Sequence, residues 1–189
     1  MTMVKKLEEF NAEDRVDIKL LENSTFYLYG EIDEESVAKV IKWILYENFQ
    51  SKDTKTLTLY INSTGGNLYD AFALIDIIRN SHHVIRTVAV GSVMSAAFLI
   101  FAVGDKGERY AAGNASFMCH QFSENMDAKY HDLKATMKEN EACNLKMINI
   151  LKEATGLPNA KIKLKLLPAS DVYLTAQEVV ELGVADNIF

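Results

Sequence analysis

Residues 88–104 read VAVGSVMSAAFLIFAVG, and their character changes half-way. The run from Val84 to Val90 is strand-like and stops at Gly91, while from about Met94 to Val103 an apolar stretch rich in helix formers takes over. Ser95 sits at the handover. A serine at such a point serves as a helix cap, as a small residue at a close packing site, or as a nucleophile, and Ser92 competes for the structural and the chemical role alike.

Outward from this junction the same alternation repeats. Thr25–Tyr29 (TFYLY) is rich in β-branched and aromatic residues and ends at Gly30, as a strand does. Asp33–Tyr46 follows with acidic residues in its first turn and Val37, Val40, Ile41 and Ile44 at helical spacing. Leu57–Ile61 predicts a second strand, NSTGG a turn, and Leu68–Arg79 a helix with Ala71, Leu74, Ile75 and Ile78 on one face. Short strands are expected around Arg109–Ala112 and Ser116–Gln121. Strand and helix in alternation indicate an α/β fold with a parallel sheet, whose sites lie at the C-terminal ends of the strands. Gly65-Gly66 and Gly91–Ser95 follow two such ends and should meet in one crevice.

Towards the C-terminus, Asn125–Ala154 gives a long helical pattern with Met126, Tyr130, Leu133 and Met137 in its apolar stripe, ended by Gly156 and Pro158. It is too long and too polar on its far side to be only core. Helices over Asn159–Leu167 and Ala176–Leu182 stop at Pro168 and Gly183.

Composition excludes several functions. With 189 residues, 49% hydrophobic and 24% charged, the chain fits one ordinary globular domain. A formal net charge of -6 opposes a nucleic-acid surface, and the patch Lys161, Lys163, Lys165 is too short to reverse that. The longest mostly apolar run, Val93–Val103, falls well short of the roughly 20 residues a membrane span needs, and the charged stretch Met1–Asp14 has no secretory character. Cys119 and Cys143 give no disulfide framework, which suits a reducing compartment, so a cytoplasmic location is expected.

A serine placed where a strand turns sharply into a helix exposes its hydroxyl beside fresh backbone N–H groups, the arrangement acyl transfer requires. On this reading Ser95 attacks, the Ala96 amide donates to the oxyanion, and the Gly65-Gly66 turn offers a second amide from the neighbouring strand end. A general base is then needed. His82 and His83 lie in a polar turn and read as solvated, and His131 reads as an exposed helix residue. His120 ends the apolar strand SFMCH where the crevice is expected, and strand alternation turns Cys119 away from it. Cys119 is thus expected to be a small buried hydrophobe. Many acids could orient His120, and spacing selects none of them. Asp171 stands out mildly, with an N-cap or turn role as its ordinary alternative.

The segments YINSTGGNLYDAFALIDII (60–78), VGSVMSAAFLIFAVGDKGERYAAGNASFMCHQ (90–121), the long helix ending in ATG, and SDVYLTAQEVVELGVADNI (170–188) resemble the ClpP family, the proteolytic subunits of the ATP-dependent Clp protease. The resemblance runs in one order from about Leu20 to Phe189. It implies a ClpP/crotonase-like repeated β-β-α superhelix with a protruding helical handle at about 125–154, preceded by an N-terminal arm over 1–19 of the kind that lines an axial pore. It further implies a self-compartmentalised serine endopeptidase that cuts unfolded polypeptides into short peptides. The assembly would be a homo-oligomer of stacked heptameric rings, a tetradecamer, served by an AAA+ unfoldase such as a Clp ATPase. The subunit itself would need no cofactor, ATP being used by the partner. By the family's motifs Ser95 is the nucleophile, His120 the base, Asp171 the third triad member, and Gly66 and Ala96 the oxyanion donors. The chain departs from the family at Thr64, where SPGG is usual, at Ala96, where Met is usual, and at Phe122, where HQP is usual; Gly156 to Asp171 is also slightly longer. Two other classes stand beside this one: a catalytically inactive ring subunit that binds partners, and a crotonase-like enzyme that holds a thioester enolate without a serine nucleophile.

Overall fold

The computed structural model describes residues 11–123 and 129–189. At its centre β1 (Thr25–Ile32), β2 (Thr56–Gly66) and β3 (Val84–Met94) run side by side and parallel. Every second residue of β2 (Leu57, Leu59, Ile61 and Ser63) is buried, whereas Thr58, Tyr60 and Asn62 are half-exposed. That period of two gives the sheet one packed face. Helices α2 (Glu34–Gln50), α3 (Leu68–Arg79) and α4 (Ala96–Ala102) cover it, and their apolar sides merge with the strands into one core. Each of the first two has a local reason to begin where it does. Asp33 and Ser36 form a reciprocal capping box on α2, and the Asn67 side chain accepts the N–H groups of Tyr69 and Asp70 on α3. Helix α4 lies wholly inside the protein, with Phe98 and Phe101 against Phe117.

Strand β3 serves two partners on one side. Thr87–Ala89 pair with β4 (Arg109–Ala111), and Ser92–Met94 pair with β5 (Ser116–Cys119). Gly91 lies between the two pairings with φ +62, a left-handed conformation that favours glycine, and a Cβ there would sit 2.7 Å from the Asn62 Oδ1 and displace that side chain. A long helix, α5 (Tyr130–Thr155), and a short one, α6 (Asn159–Lys165), lead to β6 (Val172–Leu174), which pairs antiparallel with β5. After α7 (Ala176–Glu181) the chain ends on β7 (Asn187–Ile188), parallel to β4. Arg109, 2% exposed, fastens this end: its guanidinium donates to both carboxylate oxygens of Asp186 at 2.6 and 2.8 Å, and to the Ala154 carbonyl at 2.9 Å. Ahead of β1 stands one more helix, α1 (Ala12–Glu22).

The mixed α/β architecture is the expected one, with corrections in detail. The NSTGG segment is the end of β2 rather than a free turn, its register slipping against both neighbours. Strand β3 likewise continues through Gly91 to Met94, because the bulge at Gly91 lets the pairing resume on β5. Part of the segment expected as an arm over 1–19 is helical from Ala12. The rest of that arm up to residue 10, and the expected helix start at Asn125 with Met126, lie outside the described residues. The long helix has partners in its own domain: Cys143, Met147, Ile148, Ile150 and Leu151 are buried in the core, while Met137 and Leu145 are exposed. His83 is buried rather than solvated, its Nδ1 accepting from the Lys55 N–H and its Nε2 meeting the Glu47 carbonyl. Among the described residues no helix is long and apolar enough to cross a membrane.

Candidate active site

Ser95 is the residue between β3 and α4, with φ 53 and ψ -121. Such a conformation costs a non-glycine residue about 1–3 kcal/mol and persists only where the surroundings hold it. Here they do. The Ser95 N–H donates to the Met118 carbonyl at 2.9 Å, its carbonyl accepts from Phe98 N–H at 3.0 Å, and α4 behind it is immobilised in the core. The hydroxyl makes no capping bond to its own helix. It points instead at His120, whose Nε2 lies 2.7 Å from Oγ. With the hydroxyl donating, Nε2 accepts and the neutral ring carries its proton on Nδ1.

His120 owes its place to β5, which delivers it one residue after Cys119. The two residues after it are tied down. The Gln121 amide donates to the Leu167 carbonyl at 3.0 Å, and the Phe122 N–H donates to the Asn144 side chain on α5 at 3.1 Å. Cys119 points the other way into the core, and burial pushes its thiol up to about 12. It is an inert packing residue at neutral pH, as expected from the alternation.

The pairs Phe117–Leu174, Met118–Tyr173 and Cys119–Val172 fix the antiparallel register of β5 and β6. Continued by one residue, that register sets Asp171 opposite His120, where side chains of facing strand residues can meet. Asp171 is exposed, and no hydrogen bond joins its carboxylate to His120 among the described residues. The structure therefore brings Ser95 and His120 into contact and puts Asp171 across the strand from His120 without a bond.

Gly66 and Ala96 line one cleft with Ser95 and His120, a space of about 300 Å³. Ala96 is the first residue of α4, so its N–H has no acceptor within the helix. The Gly65-Gly66 turn lies against the serine itself: a methyl group on Gly65 would fall 2.7 Å from Ser95 Cβ and 2.8 Å from the Met94 carbonyl oxygen. On Gly66 it would fall 2.3 Å from the Ile32 carbonyl oxygen. Both glycines are demanded by close approach.

Several residues of the cleft carried no signal in the sequence. Leu68 and Met147 give it apolar walls, beside Phe122, which the sequence marks as a departure. Tyr69 borders it from the first turn of α3, its hydroxyl 3.4 Å from a Glu139 carboxylate oxygen and 3.7 Å from the Cys143 sulfur on α5. The bond with Cys143, with burial and the Glu139 charge adding to it, pushes that hydroxyl up to about 12, so it stays protonated and donates. Asn67, which caps α3, could have been found as an Asn placed just before a helical pattern. The contacts of Tyr69, Asn144 and Met147 depend on α5 packing back against α3 and α4, which no local pattern announces. Among the described residues no cluster of His, Cys, Asp and Glu is arranged to hold a metal ion.

A family model described as Clp protease matches residues 9–189. The match takes in all the elements that build the cleft, from the strand bearing Gly66 to the one preceded by Asp171. Over that span, and with this mixed α/β fold, the chain belongs to the Clp protease family, a family of peptidases.

Proposed function

We propose that this chain is a self-compartmentalised serine endopeptidase. The contact of Ser95 Oγ with His120 Nε2 at 2.7 Å, on a strained strand-to-helix turn, is the observation that carries the reading. In the reaction Ser95 Oγ bonds to the scissile carbonyl carbon as His120 Nε2 takes the hydroxyl proton. The carbonyl oxygen becomes an oxyanion and is met by the N–H groups of Gly66 and Ala96. Each such donor contributes about 2.7–4 kcal/mol of transition-state stabilisation. Collapse of the intermediate expels the amine, to which His120 returns the proton, and water then releases the acyl group by the same steps in reverse order. Asp171 is assigned to Nδ1, where a carboxylate fixes the tautomer and favours the imidazolium.

Features outside the cleft support assembly. Parallel sheets are ordinarily covered on both faces, yet Tyr27 and Tyr29 stack on each other in the open, 41% and 64% exposed. Met137 and Leu145 are likewise exposed on α5. These surfaces suit stacked heptameric rings, and a closed chamber of that kind calls for an AAA+ unfoldase to feed it unfolded polypeptide. A cytoplasmic setting agrees with two free, buried cysteines.

The test is covalent. A fluorophosphonate should label the wild-type chain at Ser95, with fluorogenic peptide cleavage in parallel, and Ser95→Ala should lose both, cleavage falling by about 10⁶-fold. Labelling that survives in Ser95→Ala defeats the reading. The exposed Asp171, with no hydrogen bond to His120, favours a second reading, an inactive ring subunit with a partner-binding role. Native mass measurement showing rings, with no peptide cleavage and no labelling, would establish that one.

A further inference from the structure

Ser63 breaks the rule of its own strand. It follows Leu57, Leu59 and Ile61 on the packed face of β2 and is 2% exposed, so burial alone calls for another aliphatic residue. A buried hydroxyl is unfavourable unless it is hydrogen-bonded. Its oxygen accepts the Gly65 N–H at 3.0 Å, a bond made within the turn and contributing nothing to the ladder of the sheet. The register with β3 slips between Ile61 and Ser63, so ladder bonding is weakest where this side-chain bond appears.

The consequence reaches the chemistry through two peptide planes. Committing the Gly65 N–H to Ser63 fixes the plane between Thr64 and Gly65. Gly65 then turns at φ +100, which sets the orientation of the next plane and with it the Gly66 N–H. Gly65 sits tight against the nucleophile, since even a methyl group on it would fall 2.7 Å from Ser95 Cβ and 3.1 Å from the Ala96 nitrogen.

We infer that Ser63 is a positioning residue for the oxyanion site: its hydroxyl, by accepting the Gly65 N–H, aims the Gly66 N–H at the oxygen of the carbonyl that Ser95 attacks. This rests on the peptidase reading above. Ser63 touches no substrate and acts only through the turn. Losing it leaves the Gly66 donor present but unaimed, so the effect should be smaller than the roughly 10²–10³-fold cost of deleting a donor.

Threonine and valine at position 63 differ in little but the hydroxyl, and so separate bonding from filling. Ser63→Ala and Ser63→Val should each lower kcat for a fluorogenic peptide by about tenfold or more, with KM changed less than about twofold, whereas Ser63→Thr should stay within about threefold of wild type. Thermal midpoints and native mass check that each variant is folded and assembled, and Ser63→Ala against wild type decides alone if a larger residue does not assemble. Hydrogen exchange of the peptide spanning residues 63–67 reads the bond without activity: it should quicken in Ser63→Ala and not in Ser63→Thr. A Ser63→Ala chain with kcat within twofold of wild type, or with unchanged exchange at 63–67, overturns the inference. A wild-type chain that cleaves nothing sinks the peptidase reading, and the exchange result still judges Ser63.

Discussion

The two ends of the proposed proton relay are built very differently. At Ser95 every group is held: backbone bonds on both sides, a wholly buried helix behind, and a glycine turn in van der Waals contact in front. At Asp171 the carboxylate is exposed at the start of a three-residue strand paired only with β5. Yet the sheet register has already put Asp171 across from His120. Strand pairing thus specifies which residues face each other, while close packing specifies atomic contact, and only the serine end has both.

The largest effect that could break this comparison is at Asp171 itself. Asp171→Asn should lower kcat by about 10⁴-fold while leaving ring mass unchanged, because the assigned carboxylate sets the imidazole tautomer. A loss of less than tenfold would mean that the exposed position is its working position and that His120 acts without it.

Next comes a control far from the cleft. Asp186→Asn removes the partner of a buried guanidinium and should destabilise the fold by about 3–5 kcal/mol in denaturant unfolding. The same pair predicts a direction with pH. Burial raises the Asp186 carboxyl, but the Arg109 guanidinium and two backbone N–H groups outweigh it and hold it below the ordinary carboxylate range. A lowered folded-state pKa means that its stabilisation is complete above about 3.9 and is lost as pH falls through the folded value. Unfolding midpoints followed from pH 6 down to pH 2 should show that loss in wild type and lack it in Asp186→Asn.

Gly65→Ala sharpens the serine side. Its Cβ would collide with Ser95 Cβ and the Met94 carbonyl, and a displacement of about 1 Å at the nucleophile is enough for a roughly 10²-fold fall in fluorophosphonate labelling rate. Labelling at the wild-type rate would show that the elbow yields more than its packing implies. The smallest effect concerns Cys119. With its thiol at about 12, iodoacetamide at pH 8 should leave it unmodified in the native protein and modify it once the chain is denatured.

Much of this was legible in the chain because local rules operate where the scaffold is regular. The LTLYI and DAFALIDII patterns carry their periods openly, and SFMCH places His120 at a strand end through simple alternation. Ser95 was readable as a junction because the composition changes there. What sequence could not show arises from long-range contact. The bulge at Gly91 reads as a stop because nothing nearby reveals that a second strand, from residues 116–119, will take up the pairing. His83 looks polar and loop-borne, yet α2 ends above it and its ring nitrogens find backbone partners at Lys55 and Glu47. Asp171 stands out only mildly among the acids and is assigned by resemblance, and its position opposite His120 emerges only from the β5–β6 register. Ser63 lay unnoticed inside a motif read for its glycines.

The divided pairing of β3 has one more consequence. Its first half carries the C-terminal anchorage through β4, β7 and Arg109, and its second half carries the Ser95–His120 contact and the Asp171 register through β5 and β6. Substitutions at Gln121, Phe122 and Ser123, which line the cleft just beyond β5, change its wall while the other branch keeps the molecule folded. A scaffold forked in this way lets evolution, or a protein engineer, vary the cleft wall on one limb with the other as ballast.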